Sequence, residues 1–290
     1  MMPVKTGTVV GYRMVLNHIC CAVVRRGVFV AVCALGVAAQ LPQEPPRTLD
    51  ELAERHLRAT GRDAARAAVK SRTGAGSFQF TLRNAQGQQQ PPPGKVAFAA
   101  EGSNVAMVLT FGHPDYDHES FSFDGKEVRI STIQPGGSRS PLGEILFGYD
   151  FLVREGILGS VLRPGWLFTQ PEQRKASLEF LGRRQAGLRS FYAVKYTPPV
   201  ESDLEVILYF DTETYRHAQS RYEVKRGEQT FMVEEVFEAF REFDGVTLPT
   251  RWLLRFTASA GAQSTSWIWD ASFESLQNNA PVDAKRFASN

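Results

Sequence analysis

The sequence predicts a mainly β protein, an antiparallel meander of about 11–12 strands led by one helix and interrupted by one helical insert. Three observations carry that expectation. Segments of alternating apolar and polar residues follow one another through most of the chain, joined by short turns. Two of these turns hold Asp-Gly pairs, Asp124-Gly125 and Asp244-Gly245, which tolerate the positive φ of a tight hairpin. Strands do not alternate regularly with helices, which argues against a parallel sheet.

The chain opens differently. Residues 1–39 contain Lys5, Arg13, Arg25 and Arg26 and no carboxylate. The apolar core from Val28 to Val37 follows the Arg25-Arg26 pair and is about ten residues long, too short for a bilayer of ~30 Å. Val37 and Ala39 occupy the small-residue positions of a cleavage site before Gln40, so residues 1–39 read as a cleavable signal peptide and the protein as exported to the periplasm. Met14 would serve equally well as the start. Cys20, Cys21 and Cys33 all lie in this leader, so the mature chain can have no disulfide, cysteine-ligated zinc or cysteine nucleophile. Val32 is a poor neighbour for a lipid-anchored Cys33. Losing the leader removes four of 33 basic residues and none of the 31 acidic ones, leaving a charge of −2. That balance gives no reason to expect nucleic acid as a partner.

Residues 40–47 form a proline-rich linker, and 48–290 suit a single domain. Thr48 and Glu51 have capping-box spacing for a leading helix with Leu49, Leu52, His56 and Leu57 on one stripe, ended near Gly61. His56 there reads as an ordinary helix-surface histidine. "SFQFTLR" then alternates Phe78, Phe80 and Leu82 against polar residues, "AQGQQQPPPGK" is a polar hairpin tip, and "NVAMVLTF" puts Val105, Met107, Leu109 and Phe111 on one face.

"SPLGEILFGYDFLVREGILGSVLRPGWLF", about residues 141–166, lacks this alternation and predicts one or two short helices with an apolar face too large for a bare loop. Gly156, Gly159 and Gly165 are candidate hinges of such a lid, and "RPGW" (Arg163 to Trp166) a hinge or an anchor. "FMVEEVFEAFREF" fits a helix by spacing, but its aromatic density and the following Asp-Gly favour a strand. In the strand after it Leu248, Trp252, Leu254 and Phe256 face one way. Pro249 comes early, where a missing N–H costs least, at an edge or a strand start.

"LEFLGRRQAGLRSFYAVKYTP", "LYFDTETYRHAQSRYE", "FREFDGVTLPTRW" and "APVDAKRF" follow one another in an order that resembles exported bacterial LolA/LolB-like lipoprotein-sorting proteins. The resemblance runs from about Thr48 to the C-terminus and is better after Ser177. It implies a strongly curved antiparallel sheet, an unclosed barrel, with helices covering a concave side that holds acyl chains. Where such carriers show an Arg-Pro pair after the second strand's glycine, this chain reads "GKVAFAAEGSNVAMVL", so no functional residue is carried over.

The residues themselves point the same way, because a wide sheet curls and its inner face must be covered. Phe80, Met107, Leu109, Leu158, Trp252, Leu254, Trp267 and Trp269 are the candidate lining of an apolar ligand site; packing these side chains into a solid core is the equal alternative. The expected function is a non-catalytic carrier or sensor of a lipid or acyl chain. The alternative is an envelope scaffold that binds a protein partner. Other chemistry has little footing. His113, Asp115, Asp117 and His118 suggest a metal, but turn residues explain them better, and no catalytic group, metal or cofactor is expected. Glu234, Glu235, Glu238 and Glu242 read as a solvated strand face.

Overall fold

The computed structural model describes residues 44–113, 116–131, 137–169 and 176–288. The leader, most of the linker, and Pro114 and Asp115 of the histidine-aspartate cluster lie outside them. Leu49–Thr60 (α1) and Asp63–Ala68 (α2) come first. Thr48 caps α1 by accepting the Glu51 amide at 3.2 Å, as the capping-box spacing predicts. The helix ends at Gly61, where a Cβ would lie 2.4 Å from the Gly245 carbonyl, so only glycine fits against that hairpin.

A sheet of 13 antiparallel strands follows among the described residues, one or two more than expected. Its strands are β1 (Ser71–Asn84), β2 (Gly87–Gln89), β3 (Gly94–Glu101), β4 (Asn104–His113), β5 (Tyr116–Phe123) and β6 (Val128–Ile130). After the insert come β7 (Ser177–Ala186), β8 (Arg189–Thr197), β9 (Glu205–Asp211), β10 (His217–Arg226), β11 (Gln229–Phe243), β12 (Val246–Ala260) and β13 (Gln263–Asn278). The short β2 sits in the polar tip, where composition masks it. β11 is a 15-residue strand and not a helix. Spatial order is β6-β5-β4-β3-β1-β13-β12-β11-β10-β9-β8-β7, with β2 beside β1. The sheet therefore ends at β6 and β7 and does not close into a barrel. Pro249 sits where the expectation put it: β13 pairs with β12 from Arg251 to Ala260, so the proline lies beyond that ladder, beside β11 alone.

Parity along the long strands separates two faces. On β12, Leu248, Trp252, Leu254 and Phe256 are buried, whereas Arg251 bonds Glu238 and Asp270 at 2.6 and 2.7 Å on the other face. The insert holds Pro141–Gly148 (α3), Phe151–Arg154 (α4) and single 3-10 turns at Ser160–Leu162 and Leu167–Thr169, and it connects β6 to β7, the two edges of the sheet. α4 touches β5 near one edge while Phe151 stacks on Tyr196 of β8 near the other. A four-residue helix can reach both only if the sheet wraps around it. One apolar core accordingly joins Met107 and Phe121 to Leu208 and Trp252 through Leu152, Leu158 and Leu162 of the insert. A last helix, Lys285–Ala288 (α5), packs on β4 and β5. No helix among the described residues is long and apolar enough to cross a membrane.

Candidate functional site

The inner face divides into a filled part and an open part. The filled part lies under Ile157–Arg163, which buried polar side chains of the sheet hold by its backbone. Arg72 of β1 donates to the Val161 and Leu162 carbonyls at 3.0 and 3.1 Å. Burial lowers that guanidinium to about 10, with nearly all its surface hidden. Glu235 of β11 accepts the Gly159 amide and the Trp252 indole N–H, both at 2.8 Å, and the Tyr222 hydroxyl. Tyr222 Oη also lies 3.3 Å from the Ile157 carbonyl. Ser160 Oγ and His217 Nδ1 are 2.9 Å apart.

Arg163 reaches back to the Val153 and Ser103 carbonyls, and Trp166 stacks on His217 at 5.1 Å. The "RPGW" turn is thus an anchor. Gly159 and Gly165 stand in this pinned stretch: the first gives its amide to Glu235, and a Cβ on the second would lie 2.3 Å from the Gly102 carbonyl. Gly165 is thus closely packed, whereas Gly159 has open space around its Cα and serves the turn through its left-handed backbone, φ +71°. Both roles differ from that of the expected hinges.

Two further expectations are corrected here. His56 is not a surface residue; it is fully buried, with Nδ1 3.0 Å from the Tyr215 carbonyl and its ring against Trp166, Phe168 and Phe210. Glu235 does not belong to a solvated face, although Glu234 and Glu238 do, facing Arg255 and Arg251. Its signal was the strand period itself, since Glu235 shares parity with the buried Val233 and Phe237.

The open part is a cleft of about 780 Å³ between α3 and the ends of β10 to β13. Val224, Val233, Phe231, Phe256, Ala258 and Trp267 form its sheet wall, joined by Leu82 of β1 and, from behind, the fully buried Tyr222. Ile145, Phe147, Gly148 and Tyr149 form its helix wall. Ser140 caps α3 by accepting the Gly143 amide at 3.0 Å, and Leu142 and Leu146 seat the helix in the core. Phe147 is left 60% exposed at the mouth, with the Arg139 guanidinium 3.5 Å from its ring centre. Arg226 donates to the Tyr149 hydroxyl at 3.1 Å and to Asp203 at 3.3 Å, closing one side of the mouth with exposed polar groups.

Of the eight residues expected to line a ligand site, Trp267 borders this cleft. Met107, Leu109, Leu158, Trp252, Leu254 and Trp269 are at most 3% exposed and pack in the filled part. Phe80 is half-buried, set against Phe111 and Trp269. The other lining residues were missed because their exposure depends on how far the insert fills the hollow, which strand parity does not encode. Among the described residues no cluster of three or more His, Cys, Asp or Glu could hold a metal, and His118 instead meets Asp117 at 2.8 Å.

No family model and no curated protein matches this sequence. Among solved structures the chain is similar to a LolA superfamily protein from Nitrosomonas europaea, at 14% identity and a TM-score of 0.49, over 83% of this chain and 98% of that one. It is also similar to an outer membrane lipoprotein-sorting protein domain from Vibrio parahaemolyticus, at 12% identity and 0.41, over 81% and 97%. A third similarity is to the Mycobacterium tuberculosis lipoprotein LppX, at 10% identity and 0.23, over 82% and 100%.

Proposed function

We propose that this protein is an exported, non-catalytic carrier or sensor that holds the hydrocarbon of a lipid or acyl chain in the cleft between α3 and the sheet. The observation that carries this reading is the cleft itself, a hollow of about 780 Å³ walled largely by hydrocarbon and open at a mouth bearing Phe147. Its size falls within the range of ligand sites, roughly 300–1,000 Å³. Transfer of each methylene from water into such a wall is worth about 0.8 kcal/mol, so several buried methylenes outweigh any one polar contact at the rim. The net charge of −2 after loss of the leader offers no general attraction to anionic surfaces, which leaves apolar burial as the driving force.

The experiment is mass spectrometry of whatever lipid the purified protein retains, together with titration of a fluorescent fatty acid. A saturable signal is expected. It should disappear in Ala258→Trp, which fills the sheet wall, and in Gly148→Trp, where an added Cβ meets nothing within 4 Å. If wild-type protein retains no lipid and gives no saturable signal, the carrier reading fails and the scaffold reading takes its place.

A further inference from the structure

Glu235 links the two parts of the hollow. Its carboxylate holds the pinned segment through the Gly159 amide, and it also holds the hydroxyl of Tyr222, a fully buried residue that borders the cleft. We propose that Glu235 is a protonation-controlled latch: ligand in the cleft favours its neutral form, and loss of its proton weakens ligand binding. The proposal deepens the carrier reading above and rests on it for the ligand.

The surroundings of Glu235 accommodate both protonation states. As a carboxylate it accepts from all three donors. As an acid it can turn its proton toward Tyr222 Oη, which then donates to the Ile157 carbonyl 3.3 Å away, while the Gly159 amide and Trp252 indole keep their acceptor at 2.8 Å. The groups around it can be named element by element. β10 presents Tyr222, with Ser220 opposite Glu235 and His217 one hydroxyl further on. β12 presents Trp252 and Leu254, and the insert presents backbone at Ile157 and Gly159.

Among the described residues no ion pair reaches Glu235. Burial drives its carboxyl up to about 7 despite the opposing pull of the three hydrogen bonds. Burial likewise raises Tyr222 well above 10, with the charge on Glu235 adding to the effect, so Tyr222 keeps its proton. His217, at about 3, stays neutral. Tyr222 is itself fully buried, so the coupling acts through the field: hydrocarbon in place of water in the cleft that Tyr222, Val224 and Val233 border lowers the dielectric near the buried carboxyl. That further disfavours the charged carboxylate, so binding takes up a proton, and by linkage affinity falls as pH rises through the carboxyl's titration.

The test uses the whole mature protein and N-phenylnaphthylamine, a dye uncharged from pH 5 to 9. Dye affinity should fall several-fold between pH 6 and 8 in wild type and stay level in Glu235→Gln, which keeps acceptors for Gly159 and Trp252. Independently of any ligand, the Trp252 indole N–H resonance should titrate with a midpoint near 7 and move to higher pH when dye is bound. A Trp252 signal that does not titrate between pH 5 and 9, or pH-independent dye binding in wild type, overturns the latch. Titration of Trp252 without dye binding at any pH sinks the carrier reading and the coupling with it, leaving only a buried acid. If Glu235→Gln does not fold, Tyr222→Phe gives a second reading: the midpoint should rise further, because one donor to the carboxylate is gone.

Discussion

The two halves of the insert meet the same sheet in opposite ways. From Ile157 to Arg163 the segment is held by the buried Arg72, Tyr222 and Glu235, which bond its backbone, and by the buried His217, which meets the Ser160 hydroxyl. From Pro141 to Tyr149 the facing surfaces are largely hydrocarbon across an open cleft, tied at the rim by the exposed Arg226. The contrast separates two tasks. Directional bonds in a low dielectric specify one position, whereas apolar walls without such bonds leave capacity for a guest.

The largest expected effect strikes the pinned half. Arg72→Met leaves the Val161 and Leu162 carbonyls without their donor and should lower stability by roughly 3 kcal/mol in urea unfolding, since each buried acceptor left unpaired costs about 1–3 kcal/mol. Next comes a pair of added tryptophans. Leu254→Trp enters a packed site only 1% exposed and should cost about 1–3 kcal/mol, whereas Ala258→Trp should change stability by about 0.5 kcal/mol or less while abolishing dye binding. Equal destabilisation by the two would erase the distinction between filled and open parts.

A pH series sharpens the comparison further. Burial holds His56 at about 4 and His217 at about 3, below the ordinary 6.5. Below pH 6.5 the unfolded chain gains protons that the folded chain refuses, so the stabilisation by neutral histidine, full above 6.5, is lost as pH falls toward 4 and 3. Glu235 acts with the opposite sign: its folded carboxyl titrates near 7 against 4.5, so its contribution is full below 4.5 and lost as pH rises to 7. Between pH 4.5 and 6.5 the three groups leave stability falling on acidification with a slope of about one proton, near 1.4 kcal/mol per pH unit. Glu235→Gln should steepen that slope to about two protons, read from urea midpoints at half-unit pH steps.

The smallest effect belongs to the rim. Arg226→Ala removes an exposed ion pair and should cost less than about 1 kcal/mol. Amide exchange should quicken across Pro141–Tyr149 and stay unchanged across Ile157–Arg163.

Much of the architecture was legible because strand parity is a local signal. Phe237 and Trp252 declare an inner face, Arg251 and Arg255 an outer one, and Asp244-Gly245 marks the turn between β11 and β12. Thr48 and Ser140 announce their helices through side chains that cap them. The site was less legible. Trp252 and Trp267 share parity on paired strands, yet one lies under the pinned segment and the other at the cleft, a difference set by residues some 100 positions earlier in the chain. Glu235 shows a related limit. A lone acid among three others looks like surface, and what makes its burial tolerable comes from Gly159, Tyr222 and Trp252, three separate parts of the chain.

The connection from Ile130 to Ser177 joins the first and last strands of an open sheet. Its Ile157–Arg163 stretch is bonded to β1, β10 and β11, so the part of the span free to vary is α3, one wall of the cleft. Residues added to or removed from that part would resize the mouth without disturbing a single strand pairing, and a lineage could refit the vessel to a bulkier or slimmer guest by that route alone.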